Sequence, residues 1–72
     1  MTAREWLAAY AEQLGVEPPS DAEFDALLAL AGEAAHSSER VAAPVACWLT
    51  AKAGLDPAEA LEVARRITPP PA

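Results

Sequence analysis

Seventy-two residues carrying a net charge of −6 make one small domain, near the lower size at which an apolar core alone holds a fold together. The charge is concentrated early, with seven acids against one base over residues 1–38 and four of each over 39–72, so the chain repels phosphate backbones and nucleic-acid binding is disfavoured. A single cysteine and a single histidine exclude an internal disulfide and cannot close a zinc site, so neither metal nor cofactor is expected.

The apolar content of 53% overstates the available core, because nineteen of those residues are alanine. Alanine favours helix but buries little surface. The N-terminus lacks a signal-peptide pattern and no apolar run reaches membrane-spanning length, which predicts a cytoplasmic protein.

In chain order, Thr2-Ala3-Arg4-Glu5 is a capping box that opens a helix over 3–14. Ala3, Trp6, Leu7, Tyr10 and Leu14 share its apolar side, and Gly15 supplies the stop. After Pro18-Pro19, a second capping box at Ser20–Glu23 opens a helix over 21–36. Phe24, Leu27, Leu28, Ala31 and Ala35 then recur at helical spacing. Ser37-Ser38 interrupts the pattern, and these serines are expected to cap the next helix.

The third helix, over 41–53, has two apolar stripes. Val41, Val45, Trp48 and Leu49 are large; Ala43, Cys47 and Ala51 on the other side are small. A helix apolar on both sides is usually enclosed by its neighbours, so helix three is predicted to be central. Pro44 then falls in its first turn, where a missing N–H costs nothing. Asp56-Pro57-Ala58-Glu59 starts a fourth helix over 57–67, with Ala60, Val63, Ala64 and Ile67 facing inward. Thr68–Ala72 reads as a flexible Pro-rich tail, without the P-x-x-P spacing of a proline-domain ligand. The expected fold is therefore all-α, a compact bundle of four short helices over 1–67. Trp6, Leu28, Val45, Trp48, Leu49 and Ile67 are expected to be buried, and truncating Trp48 would then cost about 3–5 kcal/mol.

Few residues carry candidate chemistry. His36 and Arg40 flank the junction between helices two and three, where a guanidinium fork and an imidazole can grip a carboxylate or phosphate. The plainer account is structural: His36 meets the free carbonyls of a helix end, and Arg40 caps or pairs with Glu33 or Glu39. Cys47 lies among Ala43, Trp48 and Ala51, the setting of a buried, inert thiol. Trp6 and Trp48 at helical spacing read as core before they read as a binding wall. Arg65-Arg66 complements a helix C-terminus. A helix-turn-helix reading of helices two and three is opposed by Asp21, Glu23, Asp25 and Glu33. An acyl-carrier reading fits size and acidity but lacks the Asp-Ser-Leu attachment sequence.

The segment Ala35-His36-Ser37-Ser38-Glu39-Arg40-Val41-Ala42-Ala43-Pro44, with Trp6, Leu14-Gly15 and Leu27-Leu28, resembles a family of small helical domains of unknown function from high-GC bacteria. That family has an A-H-x-x-x-R-P-A-A-P-like centre, and the resemblance spans roughly residues 4–67. Its members occur alone or joined to the C-terminus of molybdopterin guanylyltransferase-like proteins. The resemblance thus implies an accessory role near molybdenum cofactor maturation, with His36, Arg40 and Pro44 the positions to carry over for any binding site. The family's proline after the arginine is Val41 here, so a rigid turn at that point is not implied.

These readings support three functional expectations. The first is a non-enzymatic accessory or protein-interaction module linked to molybdenum cofactor maturation. The second is a binder of a nucleotide or pterin phosphate through His36 and Arg40. The third is a structural domain that pairs with itself as a homodimer through the Ala43/Cys47/Ala51 face.

Overall fold

The computed structural model describes residues 1–67, so the expected proline-rich tail lies outside the described residues. Four helices succeed one another: α1 (Ala3–Leu14), α2 (Asp21–Ser37), α3 (Ala42–Ala53) and α4 (Pro57–Ile67). No strand occurs among the described residues.

The helix boundaries are fixed by local chemistry. Thr2 Oγ1 accepts from the Glu5 N–H at 3.1 Å while the Glu5 carboxylate accepts from the Thr2 N–H at 2.8 Å. Ser20 and Glu23 repeat the same reciprocal pair at the start of α2. Each box satisfies orphan amides at both of its ends. At α4 the Asp56 carboxylate accepts from the Ala58 N–H at 3.1 Å, with Pro57 in the first helical position. α1 and α3 end on Gly15 and Gly54, at φ 73° and 70°. A side chain there would strain the left-handed backbone. The next residues, Val16 and Leu55, donate back to Ala11 and Thr50, closing both helix ends.

α3 is entered differently. It begins one residue later than expected and has no side-chain cap; the Ala42 and Ala43 amides instead donate to the Glu39 and Arg40 carbonyls. The serines before it serve the preceding helix. Ser38 Oγ donates to the Ala34 carbonyl at 2.7 Å, closing α2 rather than opening α3. Pro44 occupies the third position of α3, where its missing N–H has no intrahelical partner to lose.

Packing corrects the expected interior. α2 is the helix against which both α3 and α4 pack, so the middle of the fold is α2 and not helix three. Between Ala26 and Ala35 nearly every α2 residue is at least half-buried, and Leu30, at 3% exposed, is the large side chain at its centre. Ala11, Ala60 and Thr50 are the other buried residues among those described. Thr50 is accommodated because its hydroxyl donates to the Ala46 carbonyl at 2.9 Å.

Trp6, Leu28, Val45, Trp48, Leu49 and Ile67 are all exposed, contrary to expectation. The reason is clearest in α3. Its small side, Ala43, Ala46, Cys47 and Thr50, is turned inward, and the large stripe is turned out, with Trp48 60% exposed. Small side chains let two helix axes approach closely, and α3 uses that close approach to reach α2. Of the expected Ala43/Cys47/Ala51 face, Ala43 and Cys47 are thereby half-buried within the chain, while Ala51 is exposed.

α1 is held more lightly. Arg4 Nη1 donates to Asp21 Oδ1 at 2.8 Å, and its guanidinium carbon lies 4.1 Å from the Phe24 ring centroid. This clasp ties the start of α1 to the start of α2, with Leu7, Ala8, Pro18 and Pro19 around a shallow hollow beside it. The molecule measures 43 × 25 × 19 Å, with a radius of gyration of 13.0 Å; a compact domain of this length has about 11 Å.

Two outcomes are expected. Leu30→Ala lowers unfolding free energy by about 2–4 kcal/mol, whereas Trp48→Ala changes it by less than about 1 kcal/mol in dilute protein; denaturant titration measures both. The second concerns Glu5, whose carboxyl is held below the ordinary range by the hydrogen bonds from the backbone and side chain of Thr2. A lowered folded value means that the capping contribution is complete above the ordinary carboxylate range and is lost as pH falls through the folded value. The stability difference between the parent and Glu5→Gln, measured by circular dichroism, should be flat near neutrality and shrink only in acid.

Candidate functional site

His36 is on the last turn of α2 and Arg40 in the turn that leads to α3. Both are exposed, and neither side chain makes a hydrogen bond or ion pair among the described residues. The hollow beside this junction, about 450 Å³ and open, is lined by Ser38, Glu39, Val41, Ala42 and Val45 rather than by His36 and Arg40. Pro44, also exposed, comes next on α3. The pairing of Arg40 with Glu33 does not form; Glu33 faces Arg65 of α4 at 3.8 Å.

Cys47 is half-buried, and burial pushes its thiol above the ordinary range. A thiol so placed is less nucleophilic at neutral pH, in keeping with its position against α2. No cluster of three or more His, Cys, Asp or Glu side chains with metal-holding geometry occurs among the described residues. Nor is any helix among them long and apolar enough to cross a membrane.

The feature with the greatest chemical content is apolar. Val41, Val45, Trp48 and Leu49 run along the outer side of α3, and Val41 is 70% exposed. Lys52 lies over Trp48, its ammonium 4.9 Å from the ring centroid. Leu49 continues the stripe into an open notch of about 280 Å³ between α3 and α4, floored by Leu30 and walled by Leu55, Val63 and Ile67. On α1, Trp6 and Tyr10 stack with centroids 5.1 Å apart and planes at 27°. Both rings are about half exposed, beside Met1 and Gln13. Sequence reasoning named these side chains but assigned them to the interior. The signal that would have placed them outside is the alanine-rich stripe opposite, which can seat a helix more closely.

Four helices with no strand among the described residues, and large apolar side chains that face outward, define a small all-helical domain. Residues 1–69 match the family model described as Domain of unknown function (DUF6457), and the chain belongs to that family. No curated protein and no solved structure matches it.

Because His36 and Arg40 are exposed and without side-chain partners among the described residues, His36→Ala and Arg40→Ala are each expected to shift stability by less than about 0.5 kcal/mol. Thermal melts of the two variants check this.

Proposed function

We propose that this domain is a non-enzymatic accessory module that docks a protein on the outward stripe of α3. The observation that supports this reading most is the exposure of Val41, Val45, Trp48 and Leu49 together on one helix side. Soluble monomers rarely leave a contiguous apolar patch of this kind uncovered unless a partner takes it. The stripe also has the make-up of an interaction hot spot: a large aromatic ring at its middle, aliphatic neighbours, and one cation at its edge.

The resemblance carried by Ala35–Pro44 points to the partner. Domains of that kind are joined in some proteins to molybdopterin guanylyltransferase-like chains, so the partner proposed is a nucleotidyltransferase of molybdenum cofactor maturation. A domain tethered to such an enzyme in one protein and separate in another is expected to dock on it in both.

The test is a calorimetric titration of the purified domain into the molybdopterin guanylyltransferase-like protein of the same organism. A complex is expected, with affinity falling at least about tenfold on Trp48→Ala. Absence of binding with both proteins near 100 µM, about the weak end for a specific complex, overturns the proposed partner.

A further inference from the structure

We propose that α1 is a releasable arm: it lets go of the fold as a unit, turning on residues 15–20, while α2, α3 and α4 stay folded together. The arm uses none of the residues of the α3 stripe and stands apart from the docking reading.

Three observations carry it. The first is where the core lies. Leu30 of α2, Thr50 of α3 and Ala60 of α4 are buried and meet around one notch, so the core draws one buried residue from each of these helices and none from α1. α3 and α4 run close along α2, whereas α1 approaches no helix as closely. Ala11 is the buried residue of α1 and Leu7 is half-buried, while Trp6, Tyr10 and Leu14 are exposed. Releasing α1 therefore returns little apolar area to water.

The second is the tie. Arg4 bonds Asp21 at 2.8 Å and lies over the Phe24 ring. Both side chains of the ion pair are exposed, at 51% and 92%. A pair so open to water holds weakly and is screened by salt.

The third is the connector. α1 satisfies its own ends: Thr2 and Glu5 close the first turn, and Gly15 and Val16 donate back to Glu12 and Ala11. α2 likewise opens on its own Ser20/Glu23 box. Between them, Pro18 and Pro19 have no N–H to lose. Swinging α1 away thus breaks no backbone hydrogen bond of either helix. A free helix of twelve residues is marginal in water, so the released arm loses its own protection. Release also uncovers the Phe24 ring, which Arg4 spans in the closed form.

Hydrogen exchange of the full chain, followed residue by residue by NMR in 0–1 M urea, tests the arm. The amides of Leu7–Leu14 should exchange at least about tenfold faster than those flanking Leu30 and Ala60. Their rates should stay nearly flat in urea, because the opening exposes little surface, while those of α2 and α4 rise at least about threefold per molar. Arg4→Gln should speed exchange in α1 about two- to fivefold.

Amides of α1 that match those of α2 and α4 in rate and in urea dependence overturn the arm, since α1 then opens only with the whole fold. A separate α1 opening that is indifferent to Arg4→Gln overturns the clasp as its tie. The nucleotidyltransferase titration reads Trp48 on another helix, so the two proposals fail separately.

Discussion

The fold depends on how closely α3 can approach α2. Ala43, Ala46, Cys47 and Thr50 present a seam of small side chains, and such a seam allows an interaxial distance that leucine or tryptophan would prevent. Once the seam is used, the large side chains of the same helix must lie on the far side. Burial of Leu30 and exposure of Trp48 are therefore two results of one packing choice. The hydroxyl of Thr50 would ordinarily disqualify it from the interior, and its bond to the Ala46 carbonyl removes that objection.

This arrangement reverses the usual ranking of positions. At the seam, adding even one methylene has to push helices apart, so alanines are the constrained residues. On the outer stripe, the folded monomer asks little of Val45 or Trp48, which stand more than half exposed. A domain with so few large residues places several of them where they contribute little to its own stability.

Much of the architecture was legible in the residues. The two capping boxes, the two glycine stops and Asp56-Pro57 mark helix ends through bonds that form within a few residues of each other, so sequence neighbours determine them. What was not legible was which side of each helix faces in. α3 has two stripes of equal periodicity, and the preference for burying the larger one is an average tendency that close approach overrode. Leu30 escaped notice because it stands in the run Leu27–Ala31, where every residue is apolar and no period singles it out. The candidate site was legible only as a set of separate residues. His36, Arg40 and Pro44 were found by residue type and resemblance, and nothing local dictates whether exposed side chains on two sides of a turn gather around a ligand.

The two tryptophans give this chain an unusual optical character. Trp6 lies against Tyr10 and Trp48 beneath Lys52, and both indoles already meet water in the folded state. Unfolding therefore changes their surroundings little, while covering either face moves an indole from a polar to an apolar medium. The emission spectrum of this protein consequently reports on its company more than on its shape.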